Sequence, residues 1–416
     1  MKLKPSVKNA IYLGVLCSVA YLSVYFARNI LSAVTPKMIA SGVGFTEEYI
    51  GSLSSLYFIC YAVGQVVNGW LGDRIKARYM VAIGLTLAGV CNLLFVSVST
   101  SHTLAFFVYG LLGFALSMIY GPLTKVVAEN VEQKYSQRCH LGFTFASFLA
   151  SPMAGVFAAF LSWQGVFMTG SAFLILMAVL VFASFLMFEA KGVIQYGKFR
   201  RIQHEGQKGM GGIRTLIRRD IIRFALIAMI TGIVRTSVVF WLPTYFSQYL
   251  GYSPETSALI FTVATFIISF AAFLAVFVYE KVMRYNMEGT ILLMFSLSTV
   301  FFFLQFMVRM SALNIVLMVL AIVTCNCSAV MLFSRYCPSL YDTGMVSSAT
   351  GFLDAMGYVA SAIASALFAN AATTIGWRSL ILVWTGLVFC GVLTILPYRK
   401  WFGKKKTLTE AANEKS

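Results

Sequence analysis

The apolar residues of this chain fall into long runs separated by short polar segments. Each run is about 20 residues long, the length of helix that crosses roughly 30 Å of hydrocarbon at 1.5 Å per residue. The runs lack the short alternation of a membrane barrel, so the pattern predicts bundled helices. Twelve are expected, at 10–34, 49–72, 79–98, 104–128, 139–162, 165–188, 221–246, 257–279, 288–308, 312–334, 347–370 and 379–398.

Composition places these helices in a membrane. The 416 residues are 59% hydrophobic and only 11% charged, with a mean hydropathy of +0.81. Soluble domains carry about 25% charged residues. The basic start, "MKLKPSVKNA", is like that of a signal peptide, but no small-residue cleavage site follows a short apolar core. We therefore expect an all-α integral membrane protein whose first apolar run is a span.

One long polar segment divides the chain. Residues 189–220 are basic and Gly-rich; they separate a first six-helix bundle, 1–188, from a second, 221–398, and a basic tail follows at 399–416. Of the 32 Lys and Arg residues, 26 lie on the side of the termini and this linker. The positive-inside rule then predicts cytoplasmic termini in a plasma or inner membrane. The net charge of +17 reports this orientation, and a membrane-surface or RNA-binding linker is the alternative.

The two halves repeat. A shift of 207 residues places Arg28 on Arg235 and Pro36 on Pro243, so that both halves read R-x7-P. The same shift aligns helix-start signals, T-E-E at 46–48 and S-P-E at 253–255, and acid–base pairs at 73–74 and 280–281. Two six-helix halves of equal orientation predict a pseudo-twofold axis along the membrane normal, with a substrate site between the halves.

The segment "GWLGDRIKAR" after the second run resembles the signature of the major facilitator superfamily, G-x-L-[A/S]-D-R-x-G-R-[R/K]. The matching residues are Gly69, Leu71, Asp73, Arg74 and Arg78. An acid at Asp73 is unexpected in a turn where the positive-inside rule favours bases, which favours a specific contact. The resemblance implies the twelve-helix facilitator fold and an inward-side gate formed by Asp73, Arg74 and Arg78.

Two arginines lie within apolar runs, where a charge costs a few kcal/mol and by default marks a pathway. Arg28 shares a helical face with Tyr21, Tyr25 and Ser32, so we expect that face to line the bundle interior. Each arginine alone can instead reach the headgroups or cap a carbonyl. As a pair related by the repeat, Arg28 and Arg235 are expected to hold an anion such as a phosphate or a carboxylate.

The stretches "YFARNILSAVTPKMI" and "IVRTSVVFWLPTYF" resemble helices 1 and 7 of the organophosphate:phosphate antiporters, which include the glycerol-phosphate and hexose-phosphate transporters. That resemblance implies that Arg28 and Arg235 bind a substrate phosphate and that Lys125, in "MIYGPLTKVVAENV", is a further basic residue of the site. Alternatively, Lys125 reaches the cytoplasmic face near Glu129. Gln65 stands where the glycerol-phosphate type has a lysine, and the fifth run lacks that type's histidine.

Asp354 is the one carboxylate deep inside a predicted span. It shares a polar helical face with Thr350, Tyr358, Ser361 and Ser365. It is either a fixed counter-ion for a basic residue or a functional group, and the second reading indicates proton coupling or a cationic group on the substrate. The antiporters that the chain resembles do not generally carry an acid there.

These observations predict a secondary transporter of a small organic anion, expected to be an organophosphate exchanged for phosphate. Arg28, Arg235, Tyr21, Tyr25, Gln65 and Lys125 would line the site. A proton-coupled carboxylate symporter that uses Asp354, and a sugar-phosphate sensor that does not transport, are the alternatives. The eight cysteines lie in or beside apolar runs and there are three histidines, so neither a metal site, a cofactor nor an enzyme is expected. We expect a monomer in the bilayer.

Overall fold

The computed structural model describes residues 5–72, 75–196, 217, 219–340 and 346–396. In this part of the chain there are twelve helices, as predicted. They are α1 (Pro5–Ala40), α2 (Glu47–Gly72), α3 (Ala77–Ser97), α4 (His102–Asn130), α5 (Gln133–Phe160), α6 (Trp163–Ala190), α7 (Ile221–Gln248), α8 (Pro254–Val282), α9 (Met287–Met307), α10 (Ser311–Tyr336), α11 (Val346–Thr374) and α12 (Gly376–Ile395).

Ten of these helices are long and apolar enough to cross a membrane, counted over the described residues. Their outward faces carry large apolar side chains, such as Phe160, Phe273 and Leu367, that are more than half exposed in the absence of lipid. A helix satisfies its own backbone hydrogen bonds, so apolar faces of this kind are stable in hydrocarbon. The chain is a multi-pass membrane protein.

Several helices extend beyond the predicted runs. The first was expected at 10–34 and spans Pro5–Ala40, and Lys37, expected in a loop, lies in its last turn. The Lys37 Nζ donates to the carbonyl oxygens of Ala159 and Leu161 at the end of α5, at 3.4 and 3.0 Å. A lysine in that position satisfies free carbonyls of a neighbouring helix end. An apolar pattern alone does not show such a partner.

Helix packing repeats six helices later. In the first half α1 packs on α5, α2 on α4 and α3 on α6; in the second half α7 packs on α11, α8 on α10 and α9 on α12. Between the halves, α2 packs on α11 and α5 on α8, a pair of contacts that the twofold axis exchanges. The predicted fold class, two six-helix bundles related by a pseudo-twofold axis, is confirmed.

The repeated helix-start signals are N-caps. The Thr46 hydroxyl accepts a hydrogen bond from the backbone N–H of Tyr49 at 3.2 Å, and the Ser253 hydroxyl accepts one from Thr256, also at 3.2 Å. Both caps satisfy a backbone donor that an unfinished first turn leaves free. The 207-residue shift aligns the two acceptors, Thr46 with Ser253, and the two donors, Tyr49 with Thr256.

The halves are joined at the end of the bundle opposite the N-terminus, which we call the closed end. There Lys37 of α1 forms an ion pair with Glu255 of α8 at 3.3 Å, and Gln248 of α7 hydrogen-bonds Glu47 of α2. Deeper in, the Ser55 hydroxyl donates to the carbonyl of Ala362 at 2.6 Å. These contacts close one end of the space between the halves.

Toward the other end, two glycines border open space. A Cβ added at Gly121 of α4 or at Gly351 of α11 would meet nothing within 4 Å. Gly351 lies one turn before Asp354 on α11, so it shares that residue's inward face. We call the open space on these inward faces, on the side at which α1 begins, the cavity between the halves.

Candidate functional site

The polar face of α1 is directed into the bundle, as its spacing predicted. The Ser32 hydroxyl donates to the carbonyl oxygen of Phe240 in α7 at 2.7 Å, which ties α1 to the second half. Two turns before Arg28, the Tyr21 ring packs against Tyr25 at 4.9 Å and against Tyr120 of α4 at 5.0 Å between centroids. Arg28 therefore lies at one end of this row of aromatic rings.

Aromatic rings surround the Arg28 guanidinium. Its carbon lies 5.0 to 5.6 Å from four ring centroids, those of Tyr358, Tyr25, Phe58 and Tyr61. Cation–π contacts at this range attract a guanidinium and hold it away from lipid. Nη1 also donates to the Tyr358 hydroxyl of α11 at 2.9 Å. In this structure Arg28 bonds across the cavity to the second half and does not reach toward headgroups.

Helix α11 connects the two arginines. Tyr358, which accepts from Arg28, lies one turn from Asp354 on the same face. The Asp354 Oδ1 lies 3.5 Å from Nη2 of Arg235, and the two side chains keep 34% and 40% of their surface exposed. One face of α11 thus presents a phenol to the first arginine and a carboxylate to the second.

Arg235 lies in an irregular turn of α7. Residues Ile233–Val238 form a π-helix, in which hydrogen bonds run to the fifth residue and not the fourth. Such turns concentrate at functional sites because they redirect one side chain relative to a regular helix. The sequence predicted that Arg235 lies inside a span, and the structure places it near the middle of α7, far from either end.

Two glycines bring α7 and α11 together beside this pair. A Cβ at Gly232 would lie 2.6 Å from the Cα and 2.7 Å from the carbonyl oxygen of Gly357. Gly232 is one turn before Arg235, and Gly357 lies between Asp354 and Tyr358. The absence of side chains therefore sets the helix separation at which Asp354 reaches Arg235.

On the closed-end side of this crossing, serines link α7 and α11. The Ser237 hydroxyl donates to the carbonyl oxygen of Ser361 at 2.7 Å, and the Ser365 hydroxyl donates to Ser237 Oγ at 3.1 Å. Ser361 and Ser365 were predicted to face inward, and both are buried. Their contacts are structural, so the polar face of α11 combines a binding end with a packing end.

Other predicted site residues lie at the margins of this group. Gln65 is half-buried on α2, one turn beyond Tyr61 and on the same face. Lys125 is half-buried on α4, past Tyr120 and toward the open side of the cavity. The sequence did not lead us to Phe58 and Tyr61. Phe58 lies three residues before Tyr61, and Tyr61 lies four before Gln65, so helical spacing was the available signal.

Of the predicted gate, Asp73 and Arg74 lie outside the described residues. Arg78 begins α3, and its Nη1 lies 2.6 Å from Oε2 of Glu189 at the end of α6. The Tyr196 hydroxyl donates to the other carboxylate oxygen of Glu189 at 2.7 Å. Arg78 therefore anchors α3 to α6 within the first half.

The family model described as Major Facilitator Superfamily matches residues 17–365, which includes both arginines and Asp354. The chain belongs to the Major Facilitator Superfamily. The resemblance seen in the loop after α2 is thereby confirmed for most of the chain, and the superfamily's relatives among solved structures are transporters by their titles.

Three relatives illustrate the range of this similarity. "Membrane sensor protein UhpC" of Salmonella typhimurium is 43% identical over 75 residues, which cover 18% of this chain and 17% of that protein. "Glycerol-3-phosphate transporter" of Bacillus subtilis is 22% identical over 272 residues, 59% of each. The solved bacterial homolog of the lysosomal transporter Spinster, in an inward-facing unoccupied conformation, has a TM-score of 0.74 at 13% identity over 95% of this chain and 97% of its own.

The matched stretches thus span less than two thirds of these curated relatives, about a sixth of the sensor and just over half of the glycerol-3-phosphate transporter. The solved structure is too distant in sequence to indicate more than the fold.

The described residues contain no group of three or more His, Cys, Asp or Glu side chains that could hold a metal ion.

Proposed function

We propose that this protein transports a small organic anion, with a phosphate group as the part that Arg28 and Arg235 bind. The observation that supports the proposal is that both arginines, at equivalent positions of the repeat, contact the same face of α11. Arginine forks bind phosphate and carboxylate oxygens in pairs. The similarity to a glycerol-3-phosphate transporter supports a phosphorylated substrate.

Alternating access supplies the mechanism. The cavity is open toward the side of the termini and closed at the other end by the Lys37–Glu255 pair and its neighbours. In transporters with a parallel repeat, the halves rock around a fixed site near the bilayer midplane. We propose that the termini are cytoplasmic in a plasma membrane, that the loop of Asp73, Arg74 and Arg78 gates the inner side, and that inorganic phosphate is the exchanged ion.

The test is ligand-induced stabilisation of the purified protein with a panel of phosphorylated and carboxylated metabolites. Arg28→Gln and Arg235→Gln should each weaken binding of the stabilising ligand by at least about tenfold, since each removes charged hydrogen bonds. Arg309→Gln, an exposed arginine in the loop before α10, is the matched control and should leave binding unchanged. Unchanged affinity in either site variant would remove that arginine from the proposal.

A non-transporting sensor is the second candidate, favoured by the identity with the membrane sensor protein. Both functions require the same anion site, so binding does not separate them. Counterflow in proteoliposomes does: a transporter exchanges labelled ligand across the membrane, whereas a sensor binds it without flux. Sustained counterflow that depends on Arg28 would exclude the sensor.

Asp354 can act as a counter-ion or as a proton carrier. Its distance from Arg235 supports a counter-ion, whereas a proton-coupled symporter would use it as a proton carrier. Transport driven by a proton gradient in the wild type but not in Asp354→Asn would support the symporter. A gradient without effect on either protein would exclude it.

A further inference from the structure

Asp354 has unused capacity to accept hydrogen bonds. Among the described residues its hydrogen bond is with Arg235, through Oδ1 alone and at 3.5 Å. That distance is beyond the usual range of 2.7–3.2 Å, so the contact is closer to a loose ion pair than to a good hydrogen bond. An ionised carboxylate has about four acceptor positions. With a third of its side-chain surface exposed to the cavity, Asp354 can contact a donor there.

Arg28 has no carboxylate partner among the described residues. Its contacts in the described part of the chain are four aromatic rings and the Tyr358 hydroxyl, none of which is a carboxylate. Arg28, Arg235 and Asp354 together carry one net positive charge. A phosphate monoester carries close to two negative charges at neutral pH, so it overcompensates these three residues, and Lys125, farther toward the open side, is the remaining cation of the proposed site.

The positions of the three groups suit a ligand that carries both signs. Tyr358 and Asp354 are four residues apart on α11, about 6 Å along the helix axis. Arg28 is hydrogen-bonded to Tyr358, and Arg235 lies beside Asp354. An anionic group between the two guanidiniums therefore places a neighbouring group, a few bonds away, next to the Asp354 carboxylate.

We propose that the substrate is a zwitterionic organic phosphate, whose phosphate group contacts Arg28 and Arg235 and whose primary ammonium group contacts Asp354. This inference rests on the proposed anion site and narrows its substrate class. The ligand then carries about one net negative charge, which balances the net charge of Arg28, Arg235 and Asp354. Asp354 acts as a specificity residue that favours amine-bearing substrates over hydroxylated ones.

Two ligands that differ in one group test this. Phosphoethanolamine and 2-hydroxyethyl phosphate share the phosphate and the two-carbon chain, and differ in an ammonium against a hydroxyl group. In the purified wild-type protein, phosphoethanolamine should bind at least about tenfold more tightly, because a hydrogen bond between two charged groups is stronger than one to a neutral hydroxyl. Asp354→Asn should reduce this ratio to about one.

Arg235→Gln separates the ammonium contact from the counter-ion role. If Asp354 binds the ammonium, this variant weakens binding of both ligands but keeps the preference for phosphoethanolamine. If Asp354 serves only to neutralise Arg235, the preference is absent from the start. Equal affinity of the wild type for the two ligands, or a preference that survives in Asp354→Asn, overturns the inference.

The outcomes also separate this inference from the proposed function. Binding of both ligands with equal affinity, lost in Arg28→Gln, would leave the phosphate site standing and remove only the ammonium contact. If neither ligand nor inorganic phosphate binds, and carboxylates bind instead, the phosphate assignment and this inference are both overturned.

Discussion

Tyr358 of α11 joins Arg28 to the second half through both its hydroxyl and its ring. It accepts a hydrogen bond from Nη1 at 2.9 Å, and its ring also lies 5.0 Å from the guanidinium. The ring and the hydroxyl hold Arg28 in different ways: the ring attracts the positive charge, whereas the hydroxyl fixes the direction of one N–H. Removing the hydroxyl alone therefore tests orientation.

We predict that Tyr358→Phe weakens anion binding by about tenfold while the midpoint of thermal unfolding stays nearly unchanged, since the ring is kept and one charged hydrogen bond is lost. Tyr61→Phe is the matched control. Its ring is 5.6 Å from the same guanidinium, but its hydroxyl makes no hydrogen bond to Arg28 in the described residues. Ligand titration of both variants checks this, and equal losses would contradict a special role for the Tyr358 hydroxyl.

At this scale the sequence predicted the charged residues and missed the rings. Arg28, Arg235 and Asp354 are conspicuous because a charge within an apolar run is costly. Phe58 and Tyr61 are not, because aromatic residues make up 15% of the chain and occur on lipid-facing and inward-facing surfaces alike. The pairing of Asp354 with Arg235 depends on which helices are neighbours, and spacing along one helix does not contain that information.

Among the elements, the crossing of α7 and α11 determines the geometry of the site. Gly232 faces Gly357 so closely that a Cβ on the first would lie 2.6 Å from backbone of the second. Backbone cannot rotate away as a side chain can, so the helices must separate. The reciprocal change is milder, since a Cβ at Gly357 would meet its nearest atom, the Ala228 carbonyl oxygen, at 3.3 Å.

We predict that Gly232→Ala destabilises the protein by about 1–3 kcal/mol, as overpacked sites do, and weakens anion binding because Arg235 moves away from Asp354. Gly357→Ala makes the same chemical change one helix away and should have a clearly smaller effect on both. Thermal unfolding in detergent and ligand titration measure the two quantities. A Gly357→Ala variant as damaged as Gly232→Ala would show that the tight contact is not what matters.

The helices were predicted better than their irregularities. Runs of apolar residues located all twelve, because a span of hydrocarbon requires a fixed length of helix. The π-helix of residues 233–238 left no trace in the pattern, since one extra residue in a turn changes which side chains face inward without changing the run. Arg235, which we propose binds the substrate, lies in the turn of α7 that a regular helix does not describe.

For the whole molecule, the repeat predicted the symmetry but not the state of the cavity. Equivalent residues pack equivalently, as the two N-caps at Thr46 and Ser253 show. The closed end breaks this symmetry. Glu255 pairs with Lys37 at 3.3 Å, whereas its repeat equivalent, Glu48, would need a cation at position 244, which is a threonine. The contacts that hold this end closed are therefore not all repeated between the halves.

This asymmetry provides the last prediction. If the Lys37–Glu255 pair stabilises the closed end, Glu255→Gln should shift the population toward a form that is open there. The pair contributes modestly, since Glu255 is half exposed and exposed ion pairs are worth about 0.2–1 kcal/mol. The population ratio should therefore change by no more than about fivefold. Lys37 itself is a poor choice, because it also holds the carbonyl groups at the end of α5.

Spin labels at Leu104→Cys and Met310→Cys report the opening, because these exposed residues lie at the closed end in different halves. A Cys390→Ser background removes the exposed native thiol. A longer label-to-label distance should gain population in Glu255→Gln and not in Glu48→Gln, the repeat equivalent with the same change of charge. If both variants gain it equally, general loss of negative charge opens this end; if neither does, the hydrogen bonds of Ser32 and Ser55 across the halves are sufficient to keep it closed.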